Sequence, residues 1–520
     1  MTTEKENKKS KLAEGSIIVL LGSFIFRIGG FLYRFILSRI LDAYSYGIFG
    51  LALPFQNFLT ITAAGGIPPA IAKYVAEYTA VDNEEMSRQI IITATKLIIS
   101  MGVIGALIMF MIAEPIAIGW WHKPDALLPL QLVSIIAPFS VIVGALRGAF
   151  QGYYQMTNIL YSRAVEQIFT ILVAVILVLV GWKAAGAIMG SVIGFLMSII
   201  IAYWLYKRDV KDKYFTGTYR KITRKEEMEL LWVILKFSIP VVITGIAEIS
   251  LYDLGTLFIG AVLTSNFAGY YTNASAVARL PLIISNAVAT SALPAASEAL
   301  SLNNIELMKT YISQTYRYSI MTIFPLSGAA FVFASPILGL LFGSEYVAGS
   351  MAMKILVLGM ILFGIYIVSS SLCQGLGKPR GPMRSLIIGT IINVFLSVIL
   401  VSKYGIEGAA LSTAVAAAVI MILTVYQTYK YSSVVPPINK VVRIALSTIF
   451  MMICLSLLPQ STLGIILAVF VAPVTYFLGL LITASIEKED IIVFKGMINK
   501  LGPLSKYVYK IGNKFKRFIK

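Results

Sequence analysis

The sequence predicts an all-α polytopic membrane protein with about 14 transmembrane helices. Of its 520 residues, 58% are hydrophobic and only 13% are charged, and the mean hydropathy is +0.84. A soluble protein of this length needs far more charge to cover its surface. About 14 apolar runs lie between Ser16 and Ser485, and each approaches the roughly 20 residues that cross a bilayer core about 30 Å thick.

Other features of the sequence argue against a cleaved signal peptide, a disulfide framework and a metal cluster. The first apolar run, Ser16–Ser38, is too long and too interrupted for a signal-peptide core, so we expect it to be retained. The two cysteines, Cys373 and Cys454, both lie inside apolar runs, so neither a disulfide framework nor a metal cluster is predicted. No cofactor is predicted. His122 follows two tryptophans in the loop WWHKPD and is expected at the membrane interface, where aromatic residues concentrate.

The charge distribution indicates membrane topology rather than nucleic-acid binding. The net charge is +18, but the basic residues lie in loops between apolar runs, which is the positive-inside pattern. Loops such as LDAYSYG and VLVGWKAAG, which would lie outside, are short and nearly uncharged. We therefore predict a multi-pass protein of the cytoplasmic membrane with both termini in the cytoplasm. The predicted partners are membrane lipids and not nucleic acid, and the predicted oligomeric state is a monomer.

An internal repeat divides the chain into two similar halves. LDAYSYGIF at Leu41 resembles LTSNFAGYY at Leu263, 222 residues later, and the Gln-Gly pair at Gln151 recurs at Gln374, 223 residues later. Because each copy holds six apolar runs, both copies enter the membrane in the same direction. The repeat therefore predicts two parallel six-helix lobes related by a pseudo-twofold axis along the membrane normal, as in transporters whose lobes rock about a central site.

The repeat and the charge pattern together predict the domain boundaries. These are a cytoplasmic tail (1–15), an N-lobe (16–206), a cytoplasmic linker (207–231), a C-lobe (232–431), two extra transmembrane helices (432–486) and a basic amphipathic C-terminal tail (487–520).

Two six-helix parallel repeats followed by two extra helices resemble the multidrug, oligosaccharidyl-lipid and polysaccharide exporter superfamily. Within it, RGAFQGYYQMTNILYSRAVEQI from Arg147 and QGLGKPRGP from Gln374 resemble segments of the polysaccharide flippase branch. The opening GSFIFRIGGFLYRFILSRIL and the segment GIPPAIAKYVAEY also resemble that branch. This resemblance implies movement of a polyprenyl-pyrophosphate-linked oligosaccharide between leaflets, by alternating access through a cavity between the lobes, without enzymatic activity.

Arginines in the first apolar run are the first candidate substrate-binding residues. Arg27 and Arg34 are seven residues apart and so share one face of a helix. An arginine near the centre of a spanning helix costs about 2.5–3.5 kcal/mol, which favours a wet cavity or a nearby anion. Arg39 lies closest to the interface and is expected to snorkel.

The second half carries a comparable polar stripe in its second apolar run. Its members recur at helical spacings, and they are Thr272, Ser275, Arg279, Asn286 and Thr290. Asn57 occupies the repeat-equivalent position of Arg279. We predict substrate-binding roles for Arg279, Asn57 and Asn286, with Arg27 and Arg279 facing a shared cavity. Glu248 and Asp253 lie about 140° apart on their helix, so they cannot both line one cavity, and an ion pair between one of them and Arg279 stays open.

Three charged residues lie near the fourth and fifth runs, where an entering pyrophosphate would meet them. Arg147 and Arg163 are predicted to bind the substrate, because a planar guanidinium forms bidentate hydrogen bonds to phosphate oxygens. For Glu166, Glu248 and Asp253, ion coupling and structural ion pairing both stay open, and so does the identity of a coupling ion, Na⁺ or H⁺.

Two other functions compete with the flippase. A cation-coupled multidrug antiporter of the same superfamily should carry buried carboxylates in the first lobe, where only Glu166 lies well within a predicted span. A membrane glycosyltransferase or polymerase should carry a long catalytic loop, and no loop assigned to the outside is long enough. The sequence also lacks the nucleotide-binding pattern GxxxxGK[ST], so transport is not expected to hydrolyse ATP.

Overall fold

The structure, a computed structural model, describes residues 28–64, 66–215, 222–434 and 437–486. Every regular element within these residues is helical and none is a strand, which confirms the predicted all-α class. The helices are α1 (28–40), α2 (Ala43–Ala64), α3 (Ile67–Ala80), α4 (Glu84–Glu114), α5 (Leu127–Gly152), α6 (Met156–Leu177), α7 (Lys183–Tyr206), α8 (Asp212–Tyr214), α9 (Arg224–Val262), α10 (Ser265–Ala278), α11 (Leu282–Ser301), α12 (Ile305–Val332), α13 (Ala334–Leu341), α14 (Ser350–Gly375), α15 (Arg380–Ser432), α16 (Ile438–Ser456) and α17 (Thr462–Ile482).

The number of membrane spans agrees with the prediction once two long runs are divided. Among the described residues, 9 helical runs are long and apolar enough to cross a membrane, or 11 if each of two bent helix pairs counts as one span. Met156–Tyr214 and Arg380–Ser432, with 59 and 53 residues, are far longer than one crossing. The backbone leaves helical geometry within them at Gly181 and at Gly405. Dividing both runs raises the count from 11 to 13, and α1 belongs to the first predicted span.

Left-handed turns recur at the repeat distance. Four pairs of residues with positive φ lie 221 to 223 positions apart, and they are Asp82 with Asn303, His122 with Gly343, Tyr154 with Gly377, and Lys183 with Gly405. The helices after the first pair also begin alike, because the Asn83 side chain accepts the N–H of Met86 and the Asn304 side chain accepts that of Leu307. The sequence repeat is therefore also a repeat of backbone turns.

Lys183 has a backbone conformation that suits glycine. Its φ and ψ are 46° and −132°, and those of its repeat counterpart Gly405 are 58° and −133°. A side chain in such a conformation costs about 1–3 kcal/mol. We expect Lys183→Gly to raise the free energy of unfolding by about 1 kcal/mol or more, whereas Lys183→Ala should not. Thermal unfolding of both purified variants in detergent checks this, and an unchanged or lower midpoint for Lys183→Gly would contradict it.

The chain divides into two compact units. The first unit contains the described residues up to Asn273 together with Val394–Ala409, and the second contains those from Ala274 to Asn393 and from Ala410 onward. Helix α9 thus packs with α2, α3 and α4 in the first unit. The predicted domain boundaries, which assign α9 to the C-lobe, stay a prediction, and the tails predicted at 1–15 and 487–520 lie outside the described residues.

In the first unit α2 and the first turns of α10 form a close seam, which we call the α2–α10 seam. The Tyr46 hydroxyl donates to Oδ1 of Asn273 at 2.5 Å, and both side chains are buried. Gly47 has no room for a side chain, because a Cβ there would overlap the Ser265 carbonyl. The seam lies beside the short loop between α1 and α2, one of the loops predicted to lie outside.

The side chain of a buried lysine caps the C-terminal end of α9 in the same region. Lys123 Nζ donates to the carbonyls of Gly260 at 2.5 Å and Leu263 at 2.9 Å, where the helix ends. A cation at a helix C-terminus is favoured by the helix dipole and satisfies carbonyls that lack a helical partner. Burial lowers the pKa of Lys123 below its usual value. The neighbouring His122 is exposed, with Nδ1 2.9 Å from the Ile118 carbonyl.

The predicted polar stripe from Thr272 to Thr290 is not one continuous helix face. Helix α10 ends at Ala278, helix α11 begins at Leu282, and the two axes differ by 43°. Pro281 lies in the break, where its ring disfavours helical geometry in the residue before it. The regular spacing of the polar residues was therefore a poor guide, and Arg279 lies in the bend rather than on a straight helix.

Candidate functional site

A cavity of about 760 Å³ lies within the first unit, between α1, α2, α3, α5, α6, α7 and α9. We call it the arginine cavity. Its charged and polar lining residues are Arg34, Gln56, Asn57, Thr60, Ser140, Arg147, Gln151, Arg163, Glu166, Gln167, Thr170 and Ser191. The charged residues among the described lining are three arginines and one glutamate. The site therefore carries an excess of positive charge inside an apolar helical protein.

Arg147 is held by a network of three side chains. Its Nη2 lies 2.6 Å from Oε2 of Glu166 and 3.1 Å from Oγ of Ser198, and its Nε donates to Oγ of Ser162 at 2.8 Å. The Arg147 and Glu166 side chains are only 16% and 9% exposed. The hydroxyl of Ser198 in turn donates to the Ser162 carbonyl at 3.0 Å. The guanidinium is thus fixed in position before any ligand arrives.

Close helix packing makes this network possible. On α5, Gly148 lies against α3, where an added Cβ would come 2.6 Å from the Pro68 carbonyl, and the neighbouring Arg147 lines the cavity. On α7, an added Cβ at Gly194 would come 2.8 Å from the Glu166 carbonyl. The absence of a side chain there lets α7 approach α6 until Ser198 reaches Arg147.

Arg34 enters the cavity from α1, as its position on a polar face predicted. The preceding residue, Tyr33, anchors α1 on α7 because its hydroxyl donates to the Ala187 carbonyl at 2.7 Å. The Tyr33 ring also packs edge-on against Phe49, with ring centroids 5.7 Å apart. Arg27, the other predicted arginine of this stripe, lies outside the described residues.

Arg163 and Gln167 line the cavity one turn apart on α6. Arg163 flanks the Arg147–Glu166 pair from the same helix that carries Glu166. The structure therefore brings together Arg34, Arg147, Arg163 and Glu166, which the sequence analysis had drawn from three separate apolar runs.

Asn57 connects the cavity to the acidic residues of α9. Its Nδ2 donates to Oδ2 of Asp253 at 2.9 Å, and Asn57 itself lines the cavity. Asp253 thus hydrogen-bonds to the repeat-equivalent of Arg279. Glu248, on the same helix, is exposed and is not a lining residue of the cavity.

The other two predicted binding residues lie in the second unit. Arg279 is half-buried at the bend after α10. Asn286 is exposed on α11, and its Nδ2 donates to the Leu282 carbonyl of its own helix at 2.9 Å. Their roles, like that of Arg27, stay predictions.

The sequence analysis did not single out two serines that hold Arg147 or a buried arginine of the second unit. Ser162 and Ser198 hold Arg147, yet single serines on apolar helices carry no distinctive pattern. Arg317 of α12 is only 1% exposed and donates from Nη2 to the Ser485 carbonyl just beyond α17, at 3.0 Å. An arginine inside an apolar run was the same signal that drew attention to Arg27 and Arg34.

Comparison with known proteins gives the family. The family model described as polysaccharide biosynthesis protein matches residues 12–300, which is more than half of the chain. The chain belongs to the polysaccharide biosynthesis protein family. A second family model, MatE, matches residues 240–399 of this family member. The predicted resemblance to the flippase branch of the exporter superfamily is thereby confirmed.

Individual relatives of this family member agree with that assignment. The lipid II flippase MurJ of Bacillus subtilis is 25% identical over 442 residues, which cover 78% of this chain and 80% of MurJ. A solved structure of the lipid II flippase MurJ in an inward closed conformation superimposes with a TM-score of 0.74 at 15% identity, over 92% of this chain and all of that one. An inward-facing multidrug resistance transporter of the MATE family gives a TM-score of 0.67 at 17% identity, over 78% of this chain and 94% of that one. These two structures share the fold of this family member.

Proposed function

We propose that the protein moves a polyprenyl-pyrophosphate-linked oligosaccharide across the cytoplasmic membrane, and that the arginine cavity holds the pyrophosphate during the crossing. The observation that carries this proposal is the set of three arginines and one carboxylate in a single cavity of about 760 Å³. The relative named lipid II flippase MurJ supports the substrate class.

The cavity suits an anion for physical reasons. A phosphate group that leaves water loses its hydration, and charge-assisted hydrogen bonds from arginine replace it. Guanidinium stays protonated when it is partly desolvated, and its planar fork matches two phosphate oxygens. Glutamine and asparagine side chains on the same walls add donors and acceptors for sugar hydroxyls. The protein needs no covalent chemistry for this step, so a transport role without enzymatic activity follows.

The competing antiporter function is favoured by one observation, the buried Glu166 in the cavity wall. A cation-coupled antiporter uses such a carboxylate to bind a drug cation or a coupling ion. Here, however, Oε2 of Glu166 already lies 2.6 Å from Arg147, and two further arginines line the same cavity. The local charge therefore opposes a cation and supports an anionic substrate.

Inorganic pyrophosphate is expected to bind the purified protein, and Arg34→Gln and Arg163→Gln should each weaken its binding at least tenfold. A hydrogen bond to a charged group contributes about 1.5–3 kcal/mol, which is roughly 10- to 100-fold in affinity. Isothermal titration calorimetry in detergent measures the dissociation constants. Arg380→Gln, which removes an exposed arginine outside the cavity, is the matched control. No binding, or equal affinity in all four proteins, would contradict the proposal.

A further inference from the structure

A second, smaller cavity lies in the first unit, outside the arginine cavity. Its volume is about 300 Å³, and it is lined by the beginning of α2, by the loop before α5 with the first residues of α5, and by the junction of α6 and α7 with the first residues of α7. We call it the loop pocket. Along α7 its lining residue Ala185 lies about 9 Å from Ser191, a lining residue of the arginine cavity, since a helix rises 1.5 Å per residue, and no described residue lines both cavities. The loop pocket is therefore distinct from the arginine cavity.

Four side chains give the loop pocket its chemistry. Tyr44 and Trp182 are 38% and 46% exposed, so each presents part of an aromatic ring to the pocket. The Tyr44 hydroxyl donates to Oδ2 of Asp125 at 3.1 Å and fixes that carboxylate in the wall. Lys183 lines the wall as well. The pocket thus offers two aromatic surfaces, one hydrogen-bond acceptor and one ammonium donor.

The nearby charges are already used in ways that leave the Lys183 ammonium available. Asp42 of the same loop region accepts from the backbone N–H of Ser45 at 2.9 Å and from its hydroxyl at 2.7 Å, which caps α2. Within the described part of the chain, Lys183 makes no ion pair shorter than 4.0 Å. Lys183 interacts electrostatically with Asp42, but no hydrogen bond or close ion pair within the described residues occupies its ammonium, which can therefore donate to a ligand in the loop pocket.

The backbone at Lys183 also indicates a role for its side chain. The repeat-equivalent position holds glycine in the same conformation, with φ and ψ of 58° and −133°. A lysine is costly at such a position, and packing does not explain it, since the residue is exposed. A role of the lysine side chain in ligand binding would explain why lysine occupies this position.

We propose that the loop pocket binds a neutral sugar residue of the transported glycan, an inference that rests on the proposed function. A pyranose ring offers C–H faces that pack on Trp182 and Tyr44. Its hydroxyl groups both donate and accept, so one can donate to Asp125 while another accepts from Lys183. The volume lies at the lower end of the range for small-ligand sites, which fits a short saccharide rather than a lipid chain.

A phospholipid headgroup fits the loop pocket less well. Its phosphate would be bound best by several cations or by a fork of donors, and Lys183 is the one cation among the described lining residues. The carboxylate of Asp125 would repel a phosphate beside it. A neutral ligand with both donors and acceptors matches the balanced charge of this pocket.

Saturation-transfer-difference NMR on the purified protein tests the proposal. The probes are glucose, galactose, N-acetylglucosamine and glucuronic acid, with phosphoethanolamine as the headgroup control. We expect ring-proton signals from at least one neutral sugar, at least a tenfold loss of signal in Trp182→Ala and in Lys183→Gly, and no loss in Trp204→Ala. Trp204 is a comparably exposed tryptophan, 54% exposed, at the other end of α7.

The result separates the sugar site from its alternatives. Lys183→Gly is expected to be at least as stable as the parent protein, so loss of binding in this variant cannot come from unfolding. Neutral-sugar signals that persist in both variants, signals from glucuronic acid or phosphoethanolamine alone, or no signal from any sugar would overturn the proposal. Each of these outcomes leaves pyrophosphate binding in the arginine cavity untouched, so the two proposals fail separately.

Discussion

Oxidation of a Gly50→Cys/Thr272→Cys variant is expected to stop transport completely. An ideal Cβ at Gly50 lies 3.3 Å from the Thr272 Cβ, across the α2–α10 seam. This is close to the 3.5–4.5 Å that a disulfide requires. If the lobes rock about the arginine cavity, its contents reach the outer side when α2 and α10 separate. A covalent link across the seam would prevent that separation.

The measurement is transport in proteoliposomes before and after oxidation, with Cys373 and Cys454 first replaced by alanine. Reduction with dithiothreitol should restore the rate, and the single Gly50→Cys variant should be insensitive to oxidant. Mass spectrometry quantifies the cross-link. Undiminished transport in fully cross-linked protein would exclude separation at this seam.

Arg147→Met is expected to destabilise the protein by about 3–5 kcal/mol, because it leaves the buried Glu166 carboxylate without its cation. The pair is short, 2.6 Å, and both side chains are largely buried. Replacing both residues, in Arg147→Met/Glu166→Met, should recover most of this loss, since apolar residues of similar volume substitute well for a buried ion pair. The network would then be a functional feature retained for binding rather than for stability.

Chemical unfolding in detergent micelles gives the three free energies of unfolding, those of the parent protein, Arg147→Met and Arg147→Met/Glu166→Met. The surface pair Lys309–Glu306, at 3.0 Å with side chains 53% and 84% exposed, provides the control. Lys309→Met should change the free energy by less than about 1 kcal/mol. A loss as small as this in Arg147→Met would show that the buried pair is not the tight network that its distances indicate.

The charged members of the site could be predicted because charge inside an apolar run is costly. That cost identified Arg34, the position at the cytoplasmic entrance near the fourth and fifth runs identified Arg147, Arg163 and Glu166, and all four line one cavity. The repeat offset identified Asn57, which lines it too. Turn positions also followed the repeat, as the matching conformations of Lys183 and Gly405 show.

Other features could not be predicted because they depend on tertiary contacts that leave no periodic signal. Ser162 and Ser198 acquire a role only when the close approach of α7 to α6 at Gly194 brings them to Arg147. The spacing of polar residues in α10 and α11 suggested one straight helix, whereas Pro281 imposed a bend. Local backbone constraints thus overrode the 3.6-residue pattern.

The most direct test of the central claim is reconstituted flipping of a fluorescent polyprenyl-pyrophosphate-linked disaccharide in liposomes. The parent protein and Arg380→Gln should move the lipid to the opposite leaflet at the same rate, well above that of protein-free liposomes. The double variant Arg34→Gln/Arg163→Gln should be slower by on the order of 100-fold or more, since each lost charged hydrogen bond contributes about 1.5–3 kcal/mol. An unchanged rate in the double variant, or a parent protein no faster than empty liposomes, would contradict transport through the arginine cavity.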